Sequence, residues 1–239
     1  MIRAVSGPPR SRLKPLLWGR SMEYRAICGS RSYGVETEAS DYDIVLSSAV
    51  DAALPCERAH NIKLTEEQFL RRLLLLENNA YYMQICFPKE ILDDSNTAKY
   101  IMENRESIVC ANLDRIYSAY IGKADGLSWH LEDLWERYPK RAVYSCLFYD
   151  TLHRYATQDI SFAEAFKPNE DFRQWLLAVR RNEIPKEEIL LRNRELRNNA
   201  IKVAGNFMGK EDVSILNHTI QDMNEMLGTN VDTIKAKQK

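Results

Sequence analysis

Two short apolar runs, at 24–28 and 44–46, constrain this chain more than any other feature because of the polar groups at their ends. Gly29 and Ser30 close the first run, and Asp41 and Asp43 head the second. Short aromatic and β-branched runs bounded by turn residues read as buried strands. The segment between them is a turn or short helix with a linker carrying Glu36 and Glu38, so both polar ends come to one end of a sheet. A glycine lets backbone approach an anion closely, and a serine offers a phosphate oxygen both its hydroxyl and its N–H. Two aspartates at i and i+2 on an extended strand project to one face, where their carboxylates suit a hard divalent cation. The stretch thus combines a phosphate cradle, Gly29 and Ser30, with a metal site, Asp41 and Asp43.

Composition narrows the classes open to the rest. The 239 residues are 45% hydrophobic, ample for a buried core in one large domain or two small ones. Lys and Arg number 33 against 34 Asp and Glu, a balance that disfavours general nucleic-acid coating but leaves room for a local basic patch. Cys28, Cys56, Cys86, Cys110 and Cys146 are scattered without a Cys-x-x-Cys pair, so they read as reduced core residues of a cytoplasmic protein. No run approaches a membrane span, and His60, His130, His153 and His218 lack metal-ligand spacing.

Residues 1–21 are basic and lack a signal peptide's apolar segment, so they are expected to be a disordered leader. A core over 22–94, a helical domain over 95–228 and a flexible tail over 229–239 complete the expected organisation. Thr65 and Gln68 form a capping box that predicts a helix over 66–77. The run 81–87 reads as a third strand stopped by Pro88, and helices are expected at 107–121, 139–157, 171–180, 185–207 and 212–227. Tyr81, Tyr82, Trp129 and Trp135 are expected to pack within the structure. Tyr33 is suited equally to base stacking and to core packing.

Gly29-Ser30-Arg31-Ser32-Tyr33-Gly34 with Ser40-Asp41-Tyr42-Asp43 resembles the DNA polymerase β-like nucleotidyltransferase superfamily. More narrowly, it resembles a bacterial and phage family of nucleotidyltransferases in which Gly-Ser-Arg-Ala-Tyr-Gly and Ser-Asp-Tyr-Asp recur. Weaker likeness runs through 139–142, 178–183 and 187–190. The resemblance implies an α/β (α+β) nucleotidyltransferase fold: a small mixed sheet with flanking helices, then a helical domain closing the cleft. It implies transfer of a nucleoside monophosphate from an NTP to a hydroxyl of a tRNA, a protein or a small molecule. Gly29, Ser30 and Arg31 would hold the triphosphate, and Asp41 and Asp43 would hold Mg²⁺ or Mn²⁺.

The chain also departs from that pattern. The superfamily's third carboxylate, placed on the frame of Asn79 and Phe87, falls on Gln84, which cannot act as a base. Either the second metal is lost, or Asp93 or Asp94 serves instead, or the second metal is dispensable. Tyr144 and Leu147 stand where the family often carries His and Arg, with Lys140, Arg141 and His153 nearby. Arg180 and Arg181 would either line the triphosphate cleft or remain solvated at a helix end. Gln84 keeps a second function open: a catalytically degenerate nucleotide- or RNA-binding regulator, for instance in phage–host conflict.

Overall fold

The computed structural model describes residues 24–47, 59–75, 80–92, 94–129, 131, 139–227 and 232. The leader, Cys56, Asn79, Asp93, His130, Trp135 and all of the tail except Asp232 lie outside them.

The fold is mixed α and β, with a four-stranded sheet and a larger helical part. Strands β1 (Tyr24–Cys28), β2 (Tyr42–Ser47), β3 (Ala59–Leu64) and β4 (Glu90–Ile91) lie in the order β3-β2-β1-β4. β1 runs antiparallel to β2 and β4, while β2 and β3 are parallel. β3 was not legible in the sequence because its Ala-His-Asn-Ile-Lys-Leu alternates only weakly.

Helix α1 (Glu66–Leu75) starts where the capping box places it. The Thr65 N–H donates to Gln68 Oε1 at 3.1 Å, and the Gln68 N–H donates to Thr65 Oγ1 at 3.2 Å. The expected third strand is instead a 3₁₀ helix, Ala80–Ile85, packed on β1. Residues 83–87 are all buried in succession, whereas a strand with one covered face would alternate. Tyr24 Oη fixes this segment by donating to the Ile85 carbonyl at 2.6 Å.

The helix expected at 107–121 straddles two, α2 (Asn96–Cys110) and α3 (Leu113–Ser128). Asn112 separates them: it is buried, and its Nδ2 donates to the Leu74 carbonyl at 2.7 Å, tying the break to α1. There follow α4 (Pro139–Thr157), α5 (Phe162–Phe166), α6 (Glu170–Arg180), α7 (Lys186–Lys202) and α8 (Val213–Leu227). Helix α4 begins at Pro139, whose missing N–H costs nothing in a first turn. Its unbroken buried run 142–149 suits a central helix, and it packs against α3, α5, α6 and α7.

One hydrophobic cluster extends from Tyr24 and Val45 in the sheet to Leu147 and Ile189 in the helices. Cys28, Cys86 and Cys146 belong to it, but Cys110 is exposed, contrary to the core reading. Trp129 caps α3 and is 81% exposed, so it does not pack as expected. Among the described residues no helix is long and apolar enough to cross a membrane.

Candidate functional site

Register builds the site. Cys28 at the end of β1 stands opposite Asp43 in β2, so the turn that follows Cys28 emerges beside the Asp43 carboxylate. Gly29 opens a 3₁₀ turn, Gly29–Arg31, at φ +70°, a conformation that favours glycine. A Cβ on Gly29 would lie 1.9 Å from Asp43 Oδ2. Gly29 is therefore required by Asp43, a reason different from the one its position first suggested.

Gln84 reaches the same turn from the 3₁₀ segment. Its Oε1 accepts the Gly29 N–H at 2.6 Å, and its carbonyl lies 3.6 Å from Cys28 Sγ. This corrects the sequence-based placement on a strand: Gln84 is buried beneath the turn, with its side-chain oxygen on backbone. The Gly29 N–H is consequently taken by Gln84, and Ser30 and Arg31 are the turn's remaining residues.

Ser30 is buried at the foot of α4, where the Tyr144 hydroxyl lies beside it. Burial raises the Tyr144 pKa first; Tyr81 and Asp43 add to the rise, while Arg180 and Ser30 oppose it. Tyr144 thus remains a neutral phenol able to donate a hydrogen bond. Burial likewise pushes the Cys28 thiol to about 12, with the Asp43 charge acting in the same direction. A thiol held protonated is a poor nucleophile.

Arg31 lays its guanidinium 3.7 Å from the centroid of the Tyr42 ring and donates to the Ser40 carbonyl at 3.1 Å. The turn and the linker after it are also gripped from α6. Arg173 Nε donates to the Gly34 carbonyl at 2.6 Å, and Arg180 donates to the Val35 carbonyl at 2.5 Å and to Ser40 Oγ at 3.0 Å. Residues seven apart share a helix face, so the 173/180 spacing was the available sign of this clamp, missed in the sequence. Arg180 is thus half-buried beside Tyr144, while Arg181 pairs with Glu183 at 2.7 Å on the exposed end of α6.

Asp41 is exposed just before β2, and Asp43 is half-buried within it. Among the described residues no group of three or more acids, cysteines or histidines is placed to hold a metal. Asp94 instead pairs with Lys99 at 2.8 Å. Two carboxylates still fit Mg²⁺ or Mn²⁺, because such ions retain water and complete their shell with substrate phosphates. Tyr33 is wholly buried and stacks on Phe166 at 4.4 Å, so it is a core residue and not a base platform. Protein-family models, curated proteins and solved structures give no match to this chain.

Proposed function

We propose that the chain is a magnesium-dependent nucleotidyltransferase of the polymerase β-like kind, acting in the cytoplasm on an NTP and a hydroxyl acceptor. The observation that carries this reading is the β1–β2 register, which sets a positive-φ glycine turn directly against Asp43. The acids and the turn that would bind phosphate share one sheet end, which would suit in-line attack on a metal-bound triphosphate.

In the proposed reaction the acceptor oxygen bonds to the α-phosphorus, the bond from that phosphorus to the bridging oxygen breaks, pyrophosphate leaves and the hydroxyl proton passes to water. Asp41 and Asp43 would hold Mg²⁺, which supplies charge neutralisation to the leaving pyrophosphate. Ser30 and Arg31 would hold phosphate oxygens, with Arg180 adding positive charge from α6.

Incubation with each α-³²P-labelled NTP, Mg²⁺ or Mn²⁺ and total cellular RNA and protein tests the proposal. Label transfer that disappears in Asp41→Ala and Asp43→Ala is expected. A second reading is favoured by Gln84, the residue that the sequence frame aligns with the family's third acid, because its side-chain oxygen is engaged by the Gly29 N–H. In it the chain binds nucleotide or RNA as a regulator, for instance in phage–host conflict. Metal-dependent nucleotide binding without any label transfer would select that reading.

A further inference from the structure

A cationic rim extends from the site along α3 and α4. The Tyr144 ring, whose hydroxyl neighbours Ser30, meets the Tyr81 ring edge-on at 5.4 Å. Lys123 of α3 places Nζ 4.8 Å from the Tyr81 centroid, and Lys140 of α4 places Nζ 5.9 Å from the Tyr144 centroid. Arg141 adds its charge beside the Tyr81 hydroxyl. Two lysines from different helices therefore converge on one pair of aromatic rings.

Neither lysine has a carboxylate partner among the described residues, whereas Lys99, Arg115, Arg181 and Arg197 are each matched to an acid. In a chain of net charge −1, this concentration of positive charge is local. Arg31 and Arg180 already supply positive charge next to Ser30 and Asp43. Lys140 borders the Tyr144 ring whose hydroxyl meets Ser30, and Lys123 borders the Tyr81 ring next to it, so the positive charge continues from the turn along the tyrosine pair.

We propose that Lys123 and Lys140, with Arg141, bind the phosphodiester backbone of a single-stranded nucleic acid whose end enters the Asp43 site. Lysines beside rings are a recurrent way to follow such a backbone without reading sequence. Both rings already pack against other aromatic side chains, so the binding is electrostatic and tolerant of base identity. The role of that strand as acceptor rests on the proposed transferase reading; its binding does not.

The test measures fluorescence anisotropy of a short labelled single-stranded RNA of mixed sequence with the full chain, across a salt series. Lys123→Ala/Lys140→Ala is expected to weaken binding about tenfold and to flatten the log K against log salt slope by about 1.4, at about 0.7 per lost contact. Lys123→Arg/Lys140→Arg should bind as the wild type does, which separates charge from damage to the fold. Binding of a fluorescent ATP analogue with Mg²⁺ should be unchanged in both. The inference is overturned if the wild type does not bind the RNA, if the alanine pair binds it equally well, or if polyglutamate of equal charge competes as strongly as RNA. RNA binding lost with the lysines but no nucleotide binding would sink the transferase reading alone; nucleotide binding without RNA binding would sink this inference alone.

Discussion

Two polar regions of the molecule are built in opposite ways. Where α3, α4 and α7 meet, Asn193 is buried and its groups are matched: Nδ2 donates to Ser145 Oγ at 2.7 Å, and Oδ1 accepts from Ser128 Oγ at 3.0 Å. Beside it Tyr149 donates to Asp125, and Arg197 grips the same carboxylate through Nε at 2.8 Å and Nη2 at 3.1 Å. At the Gly29 turn, by contrast, Arg31 and Arg180 give hydrogen bonds to neutral carbonyl and hydroxyl groups, and neither meets a carboxylate among the described residues. A polar cluster that satisfies itself stabilises and specifies packing, whereas charges left near one another without mutual neutralisation suit a charged ligand. The difference separates a structural junction from a candidate site on the same protein.

The largest expected effect falls at the turn. Gly29→Ala must move Asp43 and adopt a positive φ, costing about 4 kcal/mol from left-handed backbone and overpacking together. Urea unfolding should show this loss, and nucleotide binding should fall with it; an unshifted midpoint would mean that the turn yields easily.

Asp150 is an exception in the helical half. Its Oδ2 is buried without a hydrogen bond, Arg154 stands 3.9 Å away, and burial raises its pKa from 3.8 to about 6 against the pull of Arg154 and Arg192. The folded state holds the proton more tightly than the unfolded chain, so this group's stabilisation is full below about pH 4 and is lost as pH rises through about 6. That loss is about 3 kcal/mol at about 1.4 kcal/mol per unit. Thermal unfolding of Asp150→Asn should lack this decline between pH 4 and 6; an unchanged profile would assign the titration elsewhere.

Asn193→Ala should cost about 2 kcal/mol by removing its two hydrogen bonds, to Ser145 and from Ser128, without altering nucleotide binding. Loss of nucleotide binding in this variant would break the division between the two regions. Arg180→Ala should cost only about 1 kcal/mol in chemical unfolding, since its bonds are half-exposed, while weakening nucleotide binding far more. Equal effects on stability and binding would make Arg180 a structural clamp alone.

Local chemistry was readable from the residues where it acts over a few positions. The Thr65–Gln68 capping box and Pro139 opening α4 need no distant partner, and both elements start where the sequence places them. The 81–87 run failed because a buried apolar stretch carries no periodicity that separates a strand from a tightly coiled segment. The break at Asn112 depends on a bond to Leu74, far away in the chain, so the helical pattern runs through it unmarked.

The sequence by itself determined that Gly29, Ser30, Asp41 and Asp43 stand at the ends of two apolar runs able to meet. Only tertiary structure decided what each does there. Gly29 is needed because antiparallel register brings the Asp43 carboxylate against its Cα. Gln84 holds the turn because a 3₁₀ segment, and not a strand, carries it beneath Gly29. Arg173 and Arg180 grip Gly34 and Val35 from α6 because packing closes gaps of 139 and 145 residues, a proximity that no local pattern encodes.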